Sequence, residues 1–322
     1  MSFNISVIWR MPNETQVFGL EEGEGTDAFI YAPFLSELHT YLLKGKVQAL
    51  QEHSIHAFFS DWKLANSQNE VSSDDDVYLK NVEKAKSAII NHEFKKVVIA
   101  RKRFLSGTFD YEKVFHALLK NYPEAFVYAI YIQGDNCMMG ASPEQFLQKK
   151  DAFLYTEALG GTLVDGQFSE KEIKEHQHIR SFISDQLTNL NFDFTIEPYA
   201  IKKAGSLSHL QSKIKAKAKD GKSHHQLIKA LHPTPAICGL PKEESMDFIL
   251  KNEDFEREYY GGYLGPVFSN SNFSWFVNLR SGKLFKNGVL LYAGAGINEM
   301  SIAKDELLET NRKMGVLESC LS

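Results

Sequence analysis

Tyr292-Ala-Gly-Ala-Gly-Ile297, followed by Lys304-Asp-Glu-Leu-Leu-Glu-Thr-Asn-Arg-Lys313, carries the reading of this chain. The first run reads as a strand passing into a glycine turn, where missing side chains let backbone N–H groups approach an anion. The run that follows has helical character, and on a helix Glu306, Glu309 and Lys313 fall at i, i+3 and i+7, on one stripe. Carboxylates beside an anion-sized pocket suit a divalent cation bridging the protein and an acidic substrate. The same spacing also describes a solvated face of paired charges, and spacing alone leaves both readings open.

Working outward, 322 residues with 43% hydrophobic and 12% aromatic content suffice for one large core or two domains. A net charge of −5 brings no general attraction to nucleic acid or anionic lipid, so neither is an expected partner. No stretch reaches the ~18 apolar residues of a membrane span. The opening Met1-Ser-Phe-Asn-Ile-Ser-Val-Ile-Trp-Arg10 lacks the basic start and long apolar run of an export signal, so a cytoplasmic protein is expected. Cys137, Cys238 and Cys320 are far apart with no C-x-x-C, which argues for reduced thiols rather than disulfides or a thiolate metal site.

Residues 66–76 are polar, acidic and poor in apolar side chains, and divide a short N-terminal region (1–75) from a main body (76–322). Asp75 or Asp76 is positioned to cap a helix whose Val77, Leu79, Val82, Ala85 and Ile89 recur at roughly helical spacing. β-branched and aromatic residues predict strands at 96–100, 126–132, 146–147, 153–155, 199–202, 214–218, 273–279 and 289–292. Helices are predicted at 111–121, 169–190, 223–231 and 301–318. Strands come in runs rather than alternating with helices, so the class is α+β with large antiparallel sheets.

Several segments have a chemical and a structural reading. Gly294-Ala-Gly296 is not a dinucleotide fingerprint, because the third glycine would fall at Glu299. Lys213-Ile-Lys-Ala-Lys-Ala-Lys219 reads as a strand with one solvated face rather than a nucleic-acid patch. His176 and His178, at i and i+2, share no helix face, whereas Glu172 and Glu175 do. That pair is either a solvated face or a source of the hard oxygen ligands Mg²⁺ prefers. Gly140-Ala-Ser-Pro-Glu144 is a turn that sets a carboxylate at a sheet edge. Leu231-His-Pro-Thr-Pro-Ala-Ile-Cys-Gly-Leu-Pro241, with three prolines, is a rigid extended segment or a pocket wall.

Together these segments resemble the chorismate-utilising enzymes, most closely isochorismate synthase. The matching pieces are Lys96-Val-Val-Ile-Ala-Arg101, Gly140 to Glu144, Ala158-Leu-Gly-Gly-Thr162, Lys171-Glu-Ile-Lys-Glu-His176, Leu231 to Ala236, Arg257-Glu-Tyr-Tyr-Gly-Gly-Tyr-Leu-Gly265, Asn278-Leu-Arg280, Tyr292 to Ile297 and Glu309-Thr-x-x-Lys313. They occur in the family's order over about 77–320, and the first 75 residues carry no match. The resemblance implies two stacked, mainly antiparallel sheets flanked by helices and a site for chorismate with Mg²⁺. It implies Glu175 and Glu309 as metal ligands. Substrate contacts fall to Gly160, Gly161, Thr162, His232, Ala236, Ile237, Arg280, Gly294, Ala295, Gly296 and Lys313.

Members that install nitrogen generally carry glutamine where this chain has Lys96, and aminodeoxychorismate synthase carries a nucleophilic lysine where it has Gly160. Both departures point to water as nucleophile. Lys96 is then the base and Glu144 the acid that protonates the leaving C4 hydroxyl, giving isochorismate, a precursor in menaquinone, siderophore and salicylate synthesis. An amine can take a proton from water only in its neutral form, which burial and a neighbouring cation would favour. Salicylate synthase, which also expels pyruvate, is the nearest alternative, and a non-catalytic metabolite-binding protein of the same fold is the alternative of another class. No glutamine amidotransferase subunit is expected, and the resemblance favours a monomer.

Overall fold

The computed structural model describes residues 5–134, 137–163, 167–204, 207–219 and 224–321. Its centre is the strand Phe126–Ile132, whose seven residues are all buried because both its faces are covered. Phe126, Tyr128, Ile130 and Ile132 point into a cluster shared with a second sheet, whereas Val127, Ala129 and Tyr131 meet flanking helices. Phe126 stacks on Phe276 of that second sheet with ring centroids 4.3 Å apart, and Trp9 meets Phe29 at 5.1 Å. Two antiparallel sheets thus lie face to face, as the α+β reading permits and the family resemblance implies.

The first sheet runs Gly239–Leu240, Lys96–Ser106, Gly288–Ile297, Ser281–Phe285, Met138–Ser142, Phe126–Ile132, Ile5–Arg10, Val17–Glu21, Gln48–Ala49. The other runs Phe192–Ile196, Leu207–Ala218, Phe153–Leu163, Gln145–Lys150, Phe273–Val277, Tyr263–Val267, Asp27–Ala32, Tyr41–Gly45, with Ala200–Ala204 also paired to Leu207–Ala218. Residues before 75 therefore supply strands to both sheets, Ile5–Arg10 pairing with Phe126–Ile132 and Asp27–Ala32 with Tyr263–Val267.

The helix Asp75–Ile90 is capped by Asp74, one residue earlier than expected, whose carboxylate accepts the Asp76 and Val77 N–H groups. Helices Tyr111–Asn121, Glu170–Asn189, His224–Leu231 and Ala303–Glu318 lie where periodicity predicts them. Two more, Glu52–Ser60 and Lys242–Asn252, were not anticipated. The latter buries only Ser245 and Ile249, too narrow an apolar stripe to show as a periodic pattern. In Leu207–Ala218, Lys213, Lys215 and Lys217 are exposed while Ile214 and Ala216 are buried, the one-sided strand expected. No helix of the described residues is long and apolar enough to cross a membrane.

One correction bears on the site. Gly294-Ala-Gly296 is not a turn: Gly288–Ile297 is a continuous strand, with Gly294 opposite Ala100 and Gly296 opposite Val98 on Lys96–Ser106. Ten registered pairs hold it straight, overriding the turn preference of glycine.

Candidate active site

The glycines matter because other groups occupy the space their side chains would fill. A Cβ on Gly296 would lie 2.8 Å from Glu175 Oε1 and 3.0 Å from Lys96 Cε, and one on Gly294 would lie 3.0 Å from Val98 Cγ1. Alternate positions on one strand face are thus stripped of side chains so that charged groups can close on the backbone. From one side comes the helix Glu170–Asn189, carrying Glu175. From another comes the C-terminal helix Ala303–Glu318, where Lys313 Nζ donates to Gly294 O at 2.8 Å and pairs with Glu309 Oε1 at 2.6 Å. Glu306 is 1% exposed, so the stripe that had two readings faces inward.

Around this floor a cavity is lined by Glu144, Gly160, Gly161, Glu175, Ala236, Ile237, Arg280, Gly294 and Lys313 among the residues expected. The proline-rich segment thus supplies part of its wall, in a turn followed by the short strand Gly239–Leu240 rather than an extended run. His232 is not in the lining. It packs between Phe146 and Tyr263, its Nε2 lies 3.0 Å from Pro33 O, and burial pushes its pKa down to about 4. Ala295 points into the core on the opposite strand face. Gly296, Glu309 and Lys96 stand behind the lining, and the Thr162 side chain lies outside the described residues.

Lys96, 2% exposed, donates to Glu175 Oε1 at 2.7 Å. Its close neighbour is therefore a carboxylate, not the cation that the sequence reading invoked. Lys95 is exposed, and Arg101 is engaged elsewhere with Asp75 and Asn311. Glu175 also faces a second cavity lined by Lys95, Lys96, Lys174 and His178, so the Lys96–Glu175 pair forms part of the partition between the two. Glu172 belongs to neither cavity: its carboxylate accepts Ser169 N–H at 2.8 Å and caps its own helix.

Glu144, 6% exposed, has its pKa raised from 4.5 to about 8 by burial first and the Glu157 charge second, with Lys202, Lys96 and Lys313 opposing. It is a carboxylic acid at neutral pH, able to give a proton. Arg280 is 7% exposed at φ 51°, and its Nη1 is buried without a hydrogen-bond partner among the described residues. A buried guanidinium with an unanswered N–H facing a cavity calls for an anion, a carboxylate above all.

The sequence reading missed His209, Tyr260 and Tyr292 as lining residues. His209 Nδ1 stands 3.0 Å from Gly161 O, and since a carbonyl only accepts, Nδ1 carries the hydrogen. Nε2 is then a bare acceptor, without a partner among the described residues. Burial, with Arg280 and Lys313 adding to it, pushes the His209 pKa down to about 3, so the ring stays neutral. Tyr260 and Tyr292 stack with ring centroids 5.4 Å apart in the same lining as Arg280 and Lys313. Both tyrosines sit within the quoted motifs, whereas nothing local singles out His209.

Among the described residues no three His, Cys, Asp or Glu side chains cluster as a metal site. Glu175 and Glu309 offer two carboxylates, each already beside a lysine and each brought to the glycine strand. That donor set fits Mg²⁺, which takes one or two protein carboxylates and completes its shell with water and substrate oxygens.

Two carboxylates, a guanidinium with an unanswered N–H, a protonated carboxylic acid and a buried lysine gather in and just behind this lining, a set of groups suited to a small anionic substrate. The chain belongs to the chorismate-binding enzymes, whose family model matches residues 35–322 and so reaches into the first 75 residues, where the motifs alone gave no match. It is 30% identical over 264 residues to isochorismate synthase MenF of Bacillus subtilis, covering 77% of this chain and 56% of that protein. Against the salicylate biosynthesis isochorismate synthase of Pseudomonas aeruginosa it is 28% identical, over 75% of this chain and 54% of the other. It thus spans little more than half the length of these curated relatives. In fold it is similar to a putative 2,3-dihydroxybenzoate-specific isochorismate synthase, DhbC, from Bacillus anthracis, with TM-score 0.83, 22% identity and coverage of 98% and 96%. Anthranilate synthase component I from Streptococcus pneumoniae has TM-score 0.70 at 18% identity, over 90% and 80% of the two chains.

Proposed function

We propose that this protein is a Mg²⁺-dependent isochorismate synthase: water adds at C2 of chorismate and the C4 hydroxyl leaves as water. The observation that supports this reading is the pairing of opposite proton roles at one cavity, a carboxyl at 144 in its lining with a pKa raised to about 8 and a buried lysine at 96 just behind that lining. Lys96, once it has released its own ammonium proton, accepts the proton of the attacking water, the ring double bonds shift, and Glu144 donates its proton to the departing hydroxyl. One water is consumed and one released, so the reaction is an isomerisation. Arg280 and Lys313 receive the substrate's carboxylates, and neutral His209 offers Nε2 to a hydroxyl. Glu175 and Glu309 would hold Mg²⁺, which when bound supplies positive charge to a substrate carboxylate and draws electron density from the diene.

With water as nucleophile, no ammonia and no amidotransferase subunit are needed, and the protein acts as a cytoplasmic monomer. Gly160 supports the choice. A Cβ there would lie 2.8 Å from Ile179 Cδ1 and 3.1 Å from His176 Cα, so a lysine at this position must push the Ile179 side chain aside and press on the helix behind it. The deciding experiment is to incubate the pure protein with chorismate and Mg²⁺ and resolve the products by chromatography, with salicylate followed by fluorescence. Isochorismate alone is expected; salicylate would make it a salicylate synthase, and unchanged chorismate would end the enzymatic reading.

A further inference from the structure

Glu144 sits in the two-residue link Pro143-Glu144 between the strands Met138–Ser142 and Gln145–Lys150, and both its neighbours are tied by their main chain to one ion pair outside the cavity lining. Glu157, 8% exposed on the strand Phe153–Leu163, accepts the Gln145 N–H through Oε1 at 2.8 Å. The same carboxylate takes Lys202 Nζ at 2.9 and 3.1 Å, and the Gln211 side-chain amide donates to it as well. Lys202 Nζ in turn donates to Pro143 O at 2.6 Å. We propose that Glu157 and Lys202 are a positioning pair, clamping the acid's loop from both sides and setting one charge against another beside its carboxyl. This rests on reading Glu144 as the general acid.

The charges facing Glu144 come from five places: Glu157, Lys202 on Ala200–Ala204, Lys96 on Lys96–Ser106, Lys313 on the C-terminal helix, and Arg280. Lys96 and Lys313 each have a carboxylate of their own in Glu175 and Glu309. Glu157 is the carboxylate in this set, and three kinds of donor converge on it: a backbone N–H, an ammonium and a side-chain amide. It favours the protonated form of Glu144, and Lys202 opposes it. The pair also explains why the acid's backbone does not relax toward solvent: Gln145 N–H and Pro143 O are both answered by buried or half-buried side chains.

The test is the pH profile of kcat/KM for Glu157→Gln, Lys202→Met and Lys202→Arg, with an infrared titration of the Glu144 carboxyl band in ligand-free protein, assigned by its loss in Glu144→Gln. Glu157→Gln should move the basic limb and the band midpoint down by on the order of one pH unit, and Lys202→Met should move both up. Lys202→Arg, which keeps the charge, should restore the original values. Altered kcat with unmoved limb and band would reduce the pair to a structural strut and overturn the inference. If Lys202→Met fails to fold, Glu157→Gln against Lys202→Arg still decides it. Should the wild-type protein leave chorismate untouched while the band shifts as stated, the function falls and the positioning role stands.

Discussion

Lys96 Nζ stands 2.7 Å from Glu175 Oε1, so the residue assigned as base and one of the two carboxylates assigned to Mg²⁺ form a single ion pair at the cavity wall. Neither can be altered without changing the charge balance of the other. Lys96→Gln should lower kcat by about 10²–10⁴-fold, the usual worth of a general base, while KM changes little. Steady-state kinetics on chorismate checks it, and near-normal turnover would remove Lys96 from the chemistry.

Glu144 also makes a statement about stability. Its folded pKa, about 8, lies above the ordinary 4.5, so the native state holds its proton more tightly than the unfolded chain. Stability is therefore unpenalised below pH 4.5, falls as pH rises through that window, and bears the full penalty above pH 8. Glu144→Gln, neutral at every pH, should melt increasingly above wild type as pH rises from 5 to 9, by a few kcal/mol at most. Parallel melting curves across that range would contradict the raised pKa. The same variant should lose turnover, and the wild-type rate should decline as pH passes 8.

Glu309→Gln should raise the Mg²⁺ concentration for half-maximal activity by about 10–100-fold, since a carboxamide is a far poorer ligand for a hard cation. Its partner Lys313, held at 2.6 Å from Glu309 and 2.8 Å from Gly294 O, keeps the second anchor. A metal titration unchanged by the substitution would remove Glu309 from the ligand set.

Arg280→Lys keeps the charge and loses the fork. If the unanswered Nη1 meets a substrate carboxylate, kcat/KM should fall about 10–100-fold, the worth of one hydrogen bond to a charged group. Equal kinetics would show that Arg280 only balances local charge.

Gly160→Ala should destabilise the protein by about 1–3 kcal/mol, because its new methyl must displace Ile179 or the backbone at His176. Thermal melting reads this directly, and an unchanged Tm would mean the helix Glu170–Asn189 yields more readily than its packing suggests.

Much of this architecture was legible from residue pattern. Val114, Phe115 and Leu118 define the helix Tyr111–Asn121 to the residue, and the unbroken apolar run Phe126–Ile132 is a strand covered on both faces. The strand Ile5–Arg10 escaped notice because Val7, Ile8, Trp9 and Arg10 are all buried, so no alternation marks it. Arg10 is buried only because three carbonyl oxygens, of Leu119, Tyr122 and Ala125, receive its guanidinium, which no local pattern reveals. Glu157 and Lys202 are likewise unremarkable in sequence, 45 residues apart, until the sheet brings them together.

The order of residues along the chain was enough to determine the α+β class with large antiparallel sheets. The stacking of two sheets came from the family resemblance its motifs carry, as did the proposed site set: carboxylates at 144, 175 and 309, cations at 96, 280 and 313, and glycines at 160, 161, 294 and 296. Side-chain chemistry and strand or helix period are local properties, and the sequence carries them. Which carboxylate is protonated, which lysine has a carboxylate beside it, and which guanidinium N–H is left unanswered were decided only by tertiary structure. Proton affinity and hydrogen bonding depend on burial and on charges a few ångströms away in space, set here by elements distant in sequence.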